Sequence, residues 1–136
     1  MTNNLSGQVY PFLGLRDDHH SFSHGWQNKE FASISRFWVE QYAYLISRLD
    51  SMQEGDGTVL DNSCIMMANE QWTAHSAPKV PLLLGGGLSG TLETGRSLDY
   101  EKSEQRSMSS LYLTLMDRMG VRLSSFGNAT EQLADI

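Results

Sequence analysis

Ile34-Ser35-Arg36-Phe37-Trp38-Val39-Glu40-Gln41-Tyr42-Ala43-Tyr44-Leu45-Ile46-Ser47-Arg48-Leu49-Asp50-Ser51-Met52 is the stretch that decides the fold class. Ile34, Phe37, Trp38, Tyr42, Leu45, Ile46, Leu49 and Met52 recur at three- and four-residue steps. That spacing predicts one long helix with these side chains on one face. Asn28 and Ser33 are the candidates to cap its start, by accepting a hydrogen bond from an otherwise unpaired amide. Gly55-Asp56-Gly57 ends it, because glycine tolerates the backbone angles of a turn.

Downstream of the helix, Ser63 to Ala68 and Val80 to Leu84 are short apolar runs without polar alternation. Runs of that kind beside a helix predict strands covered on both faces, hence an α/β layer rather than an open meander. The run Gly85-Gly86-Gly87-Leu88-Ser89-Gly90 follows the second strand. It lacks the Gly-Lys-Ser/Thr ending of a phosphate-binding loop and the spacing of a dinucleotide fingerprint, so it reads as a tight strand exit. A last helix is expected over Met108 to Met119, with Leu111, Leu115, Met116 and Met119 toward the core and Gly120 as its stop. Phe126-Gly127-Asn128-Ala129-Thr130 is turn-like. Upstream, Gly7 to Pro11 has the makings of a short strand in an otherwise irregular segment through residue 16. Arg16 to Gly25 reads as a loop.

Composition sets outer limits. The 136 residues fit one domain, with 40% apolar residues for a core and a formal net charge of −6. A phosphate backbone would be repelled by that balance, and no basic stripe offsets it, so nucleic acid is not an expected partner. No apolar run approaches the roughly 18–20 residues of a membrane span. Met1-Thr2-Asn3-Asn4-Leu5 has neither a basic nor an apolar leader region, so no signal peptide is expected in this chain. Cys64 is the only cysteine. An intrachain disulfide and a paired-cysteine zinc site are thereby excluded, and the thiol is expected to serve as a small buried hydrophobe. No Gly-x-Ser-x-Gly elbow is present to suggest a serine hydrolase.

Three of the four histidines, His19, His20 and His24, lie in the segment Asp17-Asp18-His19-His20-Ser21-Phe22-Ser23-His24, and the fourth is His75. Neutral imidazole is a good zinc ligand, and three protein ligands with an open fourth position describe a catalytic zinc site. In an extended chain, residues four apart stand roughly 13 Å from each other. His20 and His24 can therefore share an ion only on a helical turn or a folded-back loop. The ordinary alternative is a set of hydrogen-bonded surface histidines, with Asp17 and Asp18 as solvated loop charges. Asn69 and Glu70 follow the first core strand, at the strand end where open α/β sheets place their ligands.

Taken in order, several segments resemble an uncharacterised bacterial family, domain-of-unknown-function family 1552. They are His19-His20-Ser21-Phe22-Ser23-His24, the helix from Ile34 to Leu45, Asp56-Gly57-Thr58-Val59-Leu60-Asp61-Asn62-Ser63, and the stretch from His75 to Gly87. Leu111-Tyr112, Met119-Gly120-Val121 and Phe126-Gly127-Asn128 close the series. The resemblance runs from about Asp17 to Ile136. That family in turn resembles the alkaline phosphatase and sulfatase superfamily, in which an Asp-x-x-x-His pair precedes a long helix. There an Asp-His pair also ends the next strand, and a later His precedes a Val-Pro strand.

The resemblance implies a three-layer α/β fold in which residues 1–136 form a single domain, the C-terminal portion of an alkaline-phosphatase-like sheet with a long packing helix and a C-terminal helix. It places His20 and His24 where the first ligand pair would be, Asn69-Glu70 where Asp-His would be, and His75 ahead of Val80-Pro81. The implied metal ligands are His20, His24 and His75, with Glu70 as a further candidate, around one divalent ion for which zinc is the first choice. Replacement of Asp-His by Asn69-Glu70 removes a carboxylate and an imidazole from a second metal position. The superfamily's nucleophile falls upstream of the residues in hand, and without it a covalent intermediate cannot form. The expected function is therefore at most that of a degenerate metal-dependent phosphate or sulfate ester hydrolase, inactive alone. The alternative is a non-catalytic assembly module that pairs through a sheet edge or apolar face, with a second copy or the missing N-terminal portion as partner. The resemblance also suggests an exported or periplasmic setting.

Overall fold

The computed structural model describes residues 7–25, 28–70, 78–104 and 106–136. It contains three α-helices, α1 (His19–Ser23), α2 (Lys29–Asp50) and α3 (Met108–Arg118). Four short strands accompany them, β1 (Gln53–Glu54), β2 (Gly57–Thr58), β3 (Ile65–Ala68) and β4 (Leu82–Gly85). The mixture of helix and strand agrees with the expected α/β class. The strands form two separate two-stranded sheets, β1 with β2 and β3 with β4. The first is antiparallel, with Gln53 opposite Thr58. In the second, the Asn69 amide donates to the Pro81 carbonyl just beyond the strand ends, as antiparallel pairing requires. The chain gathers into two compact units, one within Met1–Leu49 and Met66–Leu84, the other within Asp50–Ile65 and Gly85–Ile136.

The first unit is organised by aromatic rings. Val9 forms an isolated bridge with Asp18, and Pro11–Leu13 makes a single 3-10 turn rather than the continuation of a strand. Proline at the start of that turn fixes a helical φ, and Gly14 closes it at φ +76°. Tyr10 is 1% exposed and Ile34 is fully buried. Around Tyr10 stand Phe12, Phe37 and His19, with ring centroids 5.8–6.4 Å away. Phe31 meets the edge of His19 at 5.7 Å. The apolar periodicity of the long helix is thus spent on the aromatic cluster in its first half.

Asn28 rather than Ser33 caps α2. Its side-chain oxygen accepts from the Phe31 amide, and its amide nitrogen donates to the Phe22 carbonyl at 2.8 Å. The Ser33 hydroxyl instead donates back to the Lys29 carbonyl within the helix. Leu45 and the following Met52 are exposed (44% and 47%), as are Val39 and Tyr44. The strands β3 and β4 likewise leave most positions only half-buried, with Leu83 44% exposed. Neither is covered on both faces within the described residues.

In the second unit, Gly55 at φ +58° turns β1 into β2. The loop after β2 is held by Asp61, whose carboxylate accepts from the Thr58 amide (2.7 Å) and hydroxyl (3.0 Å). Against this loop lies the glycine run. Gly86 has φ +101°, and a Cβ placed there would come within 2.2 Å of the Ser63 carbonyl oxygen. No side chain can occupy that position, so the glycine is required by close backbone approach as well as by its angle.

Helix α3 begins with Ser107, whose hydroxyl accepts from the Ser110 amide at 3.0 Å. It buries Leu111, Leu113 and Leu115, while Met116 is half-buried and Met119 is 65% exposed, against the expected orientation of that last residue. Met119 is the C-cap, and Gly120 follows at φ +83°, so the side chain projects beyond the packed turns. The Thr114 hydroxyl, itself buried, donates to the Ser110 and Leu133 carbonyls and accepts from the Leu133 amide at 2.8 Å. Tyr100 donates to the Ala134 carbonyl and the Arg118 guanidinium to that of Ile136. Three hydrogen-bonding side chains, Thr114, Tyr100 and Arg118, thereby hold the final segment, with Leu133 and Ile136 buried. No helix among the described residues is long and apolar enough to cross a membrane.

Candidate metal centre

The histidine segment is a helix, not the irregular loop its composition suggests. Asp18 is the reason. It takes the N-cap of α1 in an extended conformation, and its carboxylate accepts from the Ser21 amide (3.0 Å) and hydroxyl (2.8 Å). The same bonds hold the Asp18 carboxyl below its usual range, since the amide and hydroxyl of Ser21 favour its charged form. Asp18 is therefore a structural cap rather than a free carboxylate of the loop. The pattern Asp18-x-x-Ser21 is the sequence signal for this cap.

One helical turn brings residues four apart onto the same side. The Nε2 atoms of His20 and His24 lie 3.1 Å apart, with the rings nearly perpendicular at 80°. Two nitrogens bound to one tetrahedral zinc at about 2.0–2.1 Å stand roughly 3.3 Å from each other. The observed spacing is within a few tenths of an ångström of that value. In the hydrogen bond between the two rings one imidazole donates and the other accepts. For both Nε2 atoms to face an ion, the donating ring must move its proton to Nδ1, a tautomer change with no net charge. The donor set of this pair thus fits a borderline metal such as zinc.

The third histidine of the segment does different work. The Trp38 indole can only donate, and it donates to the Tyr10 phenol oxygen at 3.1 Å. The phenol oxygen also lies 2.9 Å from Nδ1 of His19, a hydrogen bond whose donor depends on the imidazole tautomer. With the phenol as donor, His19 is neutral and carries its proton on Nε2. Burial pushes the His19 imidazole below its ordinary value, in the same direction. Trp38–Tyr10–His19 forms a hydrogen-bonded chain that anchors the first residue of α1 to α2. Neither Tyr10 nor this role of Trp38 was visible from sequence, because the contact spans 28 positions.

The remaining expected ligands divide. Glu70 is exposed and follows the end of β3 by two residues. Among the described residues, no three His, Cys, Asp or Glu side chains form a group able to hold an ion. His75 lies outside the described residues. The glycine run makes no anion cradle: the Gly87, Leu88 and Ser89 amides donate to the carbonyls of Leu60, Ser63 and Asp61 at 2.8–3.1 Å. Cys64 is half-buried, and desolvation raises its thiol above the usual range, so it is a poor nucleophile and a poor metal ligand. No family model, curated protein or solved structure matches the chain.

Proposed function

We propose that the chain forms a metal-binding part of a three-layer hydrolase domain of the phosphatase and sulfatase type. The observation that carries the reading is the His20–His24 pair, whose imidazole nitrogens stand 3.1 Å apart on α1. In this reading His20 and His24 contribute the first two ligands, and His75 or Glu70 from the β3–β4 connection contributes the third. A divalent ion bound there would act as a Lewis acid toward a phosphate or sulfate ester oxygen. The Asp18 cap and the Trp38–Tyr10–His19 chain hold α1 so that the pair is formed before the ion arrives, which lowers the ordering cost of binding.

The chain is expected to bind a divalent metal through this pair. Calorimetric titration of the chain with Zn²⁺ tests this. The reading expects saturable one-to-one binding that is lost in both His20→Ala and His24→Ala. Binding unchanged in both variants would remove its basis.

A second reading, an assembly module without catalysis, is favoured by the exposed Val39, Tyr44 and Leu45 of α2 and by Leu83 of β4. Apolar side chains of that size in solvent are costly at roughly 25 cal/mol per Å². A stable homodimer by sedimentation, formed without metal and unchanged by His24→Ala, would favour this second reading.

A further inference from the structure

We draw no further inference here: the strongest candidate, the exposed apolar side chains Val39, Tyr44 and Leu45 of α2, is spread around the helix, and nothing in the structure shows what covers them.

Discussion

At the scale of single residues, Tyr10 joins the elements of the first unit. Its buried phenol oxygen accepts from the Trp38 indole and is hydrogen-bonded to Nδ1 of His19. Tyr10→Phe keeps the ring packing but leaves an indole N–H and an imidazole nitrogen without that partner. The expected cost is about 1–3 kcal/mol, read from urea denaturation; a variant as stable as the parent would show that the hydrogen-bonded chain contributes nothing. His19 also makes stability depend on pH in a defined direction. Its folded pKa is depressed below the ordinary 6.5 by burial. The unfolded chain therefore binds the proton more readily, so this contribution is complete above about pH 6.5 and is lost as pH falls toward the folded value. His19→Gln retains an oxygen that accepts from Tyr10 and does not titrate. Between pH 7 and pH 5, its melting temperature should fall less than that of the parent, and parallel profiles would refute the assignment. Asp18 acts in a separate window. Its lowered pKa gives stability that is present above about pH 3.8 and lost only in stronger acid.

At the scale of elements, the sequence is legible where periodicity is local and opaque where partners are distant. The three- and four-residue steps locate α2, the glycines mark the turns, and Ser107 and Gly120 bracket α3. The same steps do not say which residues stay exposed, because that depends on what lies against the helix. Leu45 fits the pattern and still remains in solvent. Helix α1 is illegible for a different reason: five residues carry too little periodicity, and only the Asp18 cap marks it. Asp18→Ala should lower stability through the lost cap. It should also weaken Zn²⁺ binding about tenfold, since supporting groups around metal ligands have effects of at least that order. Equal affinity in a folded variant would mean that the histidine pair does not depend on the cap. The glycine run offers a sharper test of backbone packing. Gly86→Ala would drive a Cβ into the Ser63 carbonyl, whereas Gly95, also at positive φ, has nothing within 4 Å of its Cβ position. Gly95→Ala should cost roughly 1–2 kcal/mol for its angle alone. Gly86→Ala should cost about 3 kcal/mol or more, because angle and clash add. Similar losses in the two variants would show that the close approach is not a constraint.

At the scale of the whole molecule, the features combine into a scaffold that presents two imidazoles and leaves apolar side chains on a long helix uncovered. The α/β class was readable from one helical period and two short apolar runs. The convergence of His20 and His24 was readable only as a condition, that a helical turn join them, and the fold meets that condition. Whether a third ligand joins them depends on the connection between β3 and β4, where sequence spacing carries no distance information. The measurement that tests the central claim most directly is the metal content of the purified chain by elemental analysis, beside His20→Ala and His75→Ala. Close to one zinc, or another divalent transition metal, is expected per chain, lost in each variant. A chain that holds no metal as purified and takes up none on titration would contradict it.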